Sequence, residues 1–267
     1  MHLTFGALGE EVRNAQQQMN KLGSMLELDG VFGHACEDGV HHCRAQMPSA
    51  DSAIYDDDLD HWLAAQPDPV PGVDTSAVNF IAHEEIGSLA DYNARWSAPC
   101  YPGEESGITI GVGYDLRFQK DQFEVDWKPL LSAPAYAALL PVLGRSGDVV
   151  MAKNLRDVRI AWTDAWQVFT RSTLPHTLSQ VRQAFPGQEA LSPLSRGALV
   201  SLVYNRGVSF DGDRRSEMRS IRDAIAAKHF DEVPQYFRSM QRLWPNSPGL
   251  RARREKEAEL FERGLAS

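Results

Sequence analysis

The nine residues ITIGVGYDL, positions 108–116, constrain the fold of this 267-residue chain more than any other stretch. Two glycines separated by one valine stand inside a run of β-branched and aromatic residues. Such side chains favour extended backbone. A glycine within such a run marks a sharp bend or the close approach of another body. The spacing predicts a short hairpin bent at Gly111 and Gly113. Most of the remainder has helical spacing or helix-start signals, over residues 133–143, 148–155, 163–173, 193–206, 214–227, 231–242 and 248–263. Ser192-Pro193 and Ser247-Pro248 place serine at a cap and proline at the first helical position. The expected class is α+β, mostly helical, with one small sheet.

Residues 66–72, QPDPVPG, carry three prolines and a glycine and predict an extended linker. The organisation expected is a small helical module over residues 1–66, a proline-rich linker over 67–73 and a large domain over 74–267. In the module, Val12, Ala15, Gln16, Met19 and Leu22 recur at helical spacing. A turn follows at Leu28-Asp29-Gly30-Val31-Phe32-Gly33, then a second run through Ala35, Gly39, Val40, Cys43 and Met47. An acidic helix over 54–65 closes it. Thr75 or Ser76 is the expected cap of the first helix of the large domain.

Charge and composition exclude several classes. Residues 1–72 hold 12 acidic and 3 basic side chains, whereas the rest holds 24 of each sign. Without a basic face, nucleic acid is not an expected partner. No apolar run approaches the roughly 18 residues of a membrane span. The first residues lack the basic flank and apolar core of a Sec-type signal, so synthesis in the cytoplasm is expected. Cys36, Cys43 and Cys100 are an odd set. Seven residues apart on one helix, Cys36 and Cys43 would lie about 10 Å apart, too far to bridge. The cluster His34, Cys36, His41, His42 and Cys43 matches no standard zinc spacing, and no metal or cofactor is expected. Neither Gly-x-Ser-x-Gly nor His-Glu-x-x-His occurs.

Four ordered segments carry a resemblance. Residues 108–116 resemble the Thr-Ile-Gly-x-Gly hairpin of phage-type lysozymes, glycoside hydrolase family 24 and relatives. Glu85-Ile86-Gly87-Ser88 is similar to the catalytic glutamate of those enzymes at a helix end. Residues 198–207, ALVSLVYNRG, resemble their central helix, and Gly249-Leu250 with Arg253-Arg254 and Glu257 resembles their Gly-Leu-x-x-Arg-Arg-x-x-Glu segment. Residues 1–66 resemble the three-helix peptidoglycan-binding module. There the turn Asp29, Gly30, Phe32 and Gly33 matches Asp-Gly-x-Phe-Gly, while the segment around Cys36 and Cys43 departs from the pattern. The resemblance implies a modular phage endolysin of lysozyme-like fold with peptidoglycan as partner. It would be monomeric and act in the periplasm on the β-1,4 bond between N-acetylmuramic acid and N-acetylglucosamine. An interbacterial effector muramidase, a lytic transglycosylase and a non-catalytic wall-binding protein are the alternatives.

Cleavage of a glycosidic bond needs an acid at the leaving oxygen and assistance on the opposite sugar face. The resemblance assigns the acid to Glu85 rather than Glu84, since adjacent helix residues point about 100° apart. Where related lysozymes have an aspartate six residues before the hairpin threonine, this chain has Gly103. The base is then Glu104, Glu105 or absent. Glu85 lies 24 residues before Thr109, with residues 92–100 resembling an insertion. Thr109 would hold a water or the sugar. Gly111 and Gly113 shape the hairpin, and Tyr114, Tyr204 and Trp244 are candidates for stacking on sugar faces. By resemblance Arg253 or Arg254 reaches back to the catalytic glutamate, the other being a surface partner of Glu257. Asn205 ends a helix before Gly207 as a hydrogen-bonding brace.

Overall fold

The computed structural model describes residues 2–48, 52–103 and 105–266. They form two compact units, Met1–Pro69 with Ala82–Thr173 and Val70–Ile81 with Leu174–Ser267. The chain is mostly helical with small two-stranded sheets, the α+β class expected. No helix among the described residues is long and apolar enough to cross a membrane.

The first unit begins with β1 (His2–Leu3), α1 (Glu10–Asn20), α2 (His34–Arg44), β2 (Tyr55–Asp56) and α3 (Asp57–Ala64). Its core of Val12, Met19, Phe32, Val40, Leu59 and Leu63 is sealed from water. β1 and β2 pair antiparallel, Leu3 opposite Tyr55, a sheet the sequence reading did not foresee. Two residues per strand leave no alternation to read. Asp56 caps α3 by accepting the Leu59 N–H at 3.0 Å, and it also receives Arg44 Nη2 at 2.5 Å.

α4 (Thr75–Ile86) is capped by Asp74, whose carboxylate accepts the Ser76 N–H at 2.8 Å. Thr75 and Ser76, the expected caps, are already helical. A single turn, α5 (Leu89–Asp91), leads into a π-helical turn at Tyr92–Trp96, within the segment resembling an insertion. Tyr92 is fully buried there and donates to the Ile160 carbonyl at 3.1 Å. The hairpin β3 (Thr109–Ile110) and β4 (Tyr114–Asp115) follows. Then come α6 (Lys120–Trp127), α7 (Ala133–Leu139), α8 (Val149–Asn154) and α9 (Trp162–Val168), the last continuing into a π-helical turn at Phe169–Thr173.

α9 carries two tryptophans onto the N-terminal residues of the same unit. Trp162 Nε1 donates to the Gly23 carbonyl at 2.7 Å, and Trp166 Nε1 to the Lys21 carbonyl at 3.3 Å. Gly23 has φ +82°, and a Cβ there would lie 2.6 Å from the Trp166 ring. Gly23→Ala is expected to cost about 1–3 kcal/mol in urea unfolding, because a rigid indole has to shift. Gly6→Ala, at φ +89° with open space around it, isolates backbone strain and should cost less. Equal losses in the two variants would refute the packing account.

Cys36 and Cys43 are buried on α2, Cys100 is half-buried, and all three are free thiols. Burial pushes the Cys43 thiol up to about 12, against a smaller downward pull from its hydrogen bond with Ser24. Because the thiolate is the nucleophile, Cys43 should resist alkylation at pH 8 in the native state and react once denaturant is added. Peptide mapping would check this, and rapid native labelling would contradict the packing.

The second unit holds α10 (Leu174–Ala184), α11 (Pro193–Arg206), α12 (Ser216–Ala226), α13 (Val233–Ser239) and α14 (Pro248–Leu265). α10 lies outside the helical ranges expected from sequence, although Leu174, Thr177, Leu178 and Val181 mark its buried face at helical spacing. Ser192 caps α11 as expected, accepting the Ser195 N–H at 3.2 Å, whereas Ser247 makes no side-chain cap bond. The end of the expected linker is packed. Val70 is buried, and the Gly72 carbonyl accepts Arg196 Nη1 at 2.8 Å.

Candidate active site

Glu84 and Glu85 are half-buried in the last turn of α4. The helix stops because Gly87 takes φ +80°, a left-handed backbone that glycine adopts without steric cost. The Gly87 N–H donates to the His83 carbonyl at 2.9 Å, and His83 Nδ1 lies 2.6 Å from the Gly87 carbonyl. A carbonyl only accepts, so Nδ1 is the donor. Ser88 caps the next turn by accepting the Asp91 N–H at 3.1 Å and donates its hydroxyl to Asp91 at 2.7 Å. A Cβ at position 87 would come within 2.9 Å of that carboxylate. The sequence Glu-Ile-Gly-Ser thus sets Glu85 one residue from a rigidly terminated helix end.

The hairpin of the same unit pairs Thr109 with Asp115 and Ile110 with Tyr114, leaving Gly111-Val112-Gly113 as its turn. Both glycines have positive φ. A Cβ on Gly111 would meet the Trp127 ring at 3.0 Å, so the body that approaches this backbone is an indole of the protein itself. Thr109 exchanges two backbone hydrogen bonds with Cys100, at 2.8 and 3.0 Å, and its side chain is half-buried. Asp115 accepts the N–H groups of Gly107, at 3.0 Å, and Arg117, at 2.8 Å, and so clamps the loop before the hairpin to the residues after it. Its signal in sequence is only that of an ordinary Asx turn.

Of the candidate bases, Glu104 lies outside the described residues. Glu105 is exposed, and its carbonyl accepts from Arg117. Tyr114 is 3 % exposed and donates to Asp126 at 2.9 Å, an oxygen that also receives Ser172 at 2.9 Å. It braces the hairpin from inside and presents no ring face to a sugar. Asp126, which holds this network, was not singled out in the sequence.

In the second unit a different part of the predicted set comes together. Arg254 is fully buried and donates to Asn205 Oδ1 at 3.2 Å and to Glu257 Oε1 at 2.9 Å; its guanidinium lies 5.7 Å from the Trp244 ring centre. Arg253 is 3 % exposed and reaches Glu257 at 3.4 Å, so the surface pairing expected for one arginine is corrected: both are interior. The four-residue spacing was legible, but burial is set by how α14 packs. Ser201, on α11, donates to Glu257 at 2.6 Å. Burial pushes the Glu257 carboxyl up, while Arg254, Arg253 and Ser201 pull it back down. Tyr204 is half-buried near the end of α11.

In the N-terminal residues Phe32 is core, and Gly30 takes φ +71° with its N–H donating to Gln16 at 3.0 Å. Asp29 accepts Gln16 Nε2 at 2.7 Å and the Val31 N–H at 2.9 Å; the Gln16 contact first, then the Val31 one, hold its carboxyl below the usual range. Gly33 precedes α2. Asp29, Gly30 and Phe32 therefore build the turn. No group of three or more potential metal ligands occurs among the described residues.

No protein-family model and no curated protein matches the chain. Among solved structures, one similar chain is the endolysin of Burkholderia phage AP3, at 16 % identity over the whole of both chains and a TM-score of 0.24. A likeness at that score carries no argument about this protein.

Proposed function

We propose that the protein is a peptidoglycan hydrolase, a muramidase cleaving the β-1,4 bond between N-acetylmuramic acid and N-acetylglucosamine. The observation that supports this reading is the presence, within one compact unit, of a half-buried glutamate at a glycine-terminated helix end and a threonine-bearing, glycine-turned hairpin. Glu85 protonates the leaving oxygen. Thr109 Oγ1 sits on a strand fixed on both sides by backbone hydrogen bonds and can orient a water or a sugar hydroxyl. The base is Glu104, Glu105 or absent. The residues over 1–66 hold the polymer near the cleft. The biological role is that of a phage endolysin, with interbacterial delivery as the alternative setting.

A lytic transglycosylase is the second reading. Gly103 stands where related lysozymes have an aspartate, and an intramolecular attack by the muramic acid hydroxyl needs no base there. Mass spectrometry of fragments from purified murein separates the two. Reducing muramic acid ends are expected. Anhydro ends would replace the hydrolase by the transglycosylase, and the absence of fragments with binding retained would leave a wall-binding protein.

A further inference from the structure

A concave site lies in the unit that contains α11 and α14. It is a cavity of about 620 Å³ at the C-terminal end of α11, whose lining includes Arg206, Asp211, Asp213, Arg214, Arg215 and Trp244, both aspartates being exposed. Arg206 is held in place by its surroundings. Its Nη2 donates to the Arg214 carbonyl at 2.8 Å, its Nη1 lies 3.2 Å from Met240 Sδ, and its guanidinium stacks 5.0 Å from the Trp244 ring centre. Arg215 Nη2 donates to the Arg206 carbonyl at 2.6 Å, while its Nη1 is buried with no hydrogen-bond partner. None of Arg206, Arg214 and Arg215 makes an ion pair among the described residues.

Three arginines against two exposed aspartates leave the lining short of one anion. Three arginines line a cavity walled by an indole, and the Arg254 guanidinium lies 5.7 Å from the centre of the same ring. Burial first, and then Arg215, Arg254 and Arg214, push the Arg206 guanidinium down to about 10, against a smaller pull from Glu217. The negative end of the α11 dipole offsets part of this crowding, but the Arg215 Nη1 donor still lacks an acceptor. Buried donors without partners are costly, charged ones most of all. Guanidinium groups match carboxylates through paired N–H donors in a planar fork.

We infer that this cavity binds the carboxylate of a short peptide, the stem peptide borne by a peptidoglycan strand. The choice of a stem peptide rests on the muramidase reading; the anion chemistry rests on the arginines alone. The cavity is larger than an isolated inorganic anion requires, and Trp244 offers an apolar wall to the atoms that carry the carboxylate.

The test is calorimetric titration of the full chain with a free stem tetrapeptide, the same peptide with its carboxylates amidated, and inorganic phosphate. The acid peptide should bind, with the amidated form and phosphate each at least about tenfold weaker, the scale of one charge-assisted hydrogen bond. Arg215→Gln should weaken the acid peptide about tenfold or more. Arg214→Gln, whose exposed side chain makes no bond among the described residues, should weaken it in the same direction and guards against misfolding of the first variant. Equal binding of acid and amidated peptides, indifference to both substitutions, or tighter binding of phosphate would each overturn the inference. Murein cleavage by the same samples is read separately. Peptide binding without cleavage would remove the enzyme reading and leave this site standing.

Discussion

Glu85→Gln is expected to slow murein cleavage by about 10²- to 10⁴-fold, the usual contribution of a positioned general acid. Glutamine keeps the shape and hydrogen-bonding reach of the side chain but has no proton to give to the leaving oxygen. The end of α4 is set by Gly87 at φ +80° and by the Ser88–Asp91 cap. Glu84→Gln is the control. It shares helix, exposure class and charge with Glu85 but points about 100° away, so its rate should stay within a few-fold of wild type. Released muropeptides, followed by chromatography with thermal unfolding in parallel, would decide it. Cleavage surviving Glu85→Gln, or lost equally in both variants, would remove Glu85 as the acid.

The largest expected effect on stability belongs to Glu257→Gln. This carboxylate is fully buried and shared by Ser201, Arg254 and Arg253 at 2.6, 2.9 and 3.4 Å. Removing its charge leaves two interior guanidiniums without the counter-charge they share, a change that costs about 3–5 kcal/mol. Ser201→Ala, which deletes one hydrogen bond and keeps the ion pairs, should cost nearer 1 kcal/mol. Urea unfolding should show a lower midpoint for Glu257→Gln with little change in slope. A loss no greater than that of Ser201→Ala would mean that the cluster contributes little as a set of charges.

How much was legible follows from the range of the forces involved. The hairpin appeared where the sequence put it because Gly111 and Gly113 act through their own backbone angles. The stop after Glu85 was readable from Glu-Ile-Gly-Ser for the same reason, and Ser192-Pro193 marked the start of α11. Near misses were local as well. Asp74 caps α4 in place of Thr75 or Ser76, a shift of one residue among good capping types. Residues 163–173 divide into α9 and a π-helical turn, although their side-chain spacing reads as one helix.

The candidate site residues divided along the same line. Local spacing put Glu85 at a helix end, Thr109 on a strand, and Arg253 one turn before Glu257. Spacing could not show that both arginines of α14 are interior, that Tyr114 turns inward to Asp126, or that Arg206, Arg214, Arg215 and Trp244 line one cavity.

By itself the sequence determined the helical and hairpin segments, their order, and the positions at which backbone geometry admits only glycine or favours a cap. These are properties of a few adjacent residues and their own φ and ψ. Tertiary structure alone decided the partners. Arg196 holds the carbonyl of Gly72 across 124 positions, and Trp162 and Trp166 hold those of Gly23 and Lys21 across 139 and 145. A side chain's own pattern states that it needs an acceptor or a dry surface; which distant residue supplies it is settled only when the whole core packs.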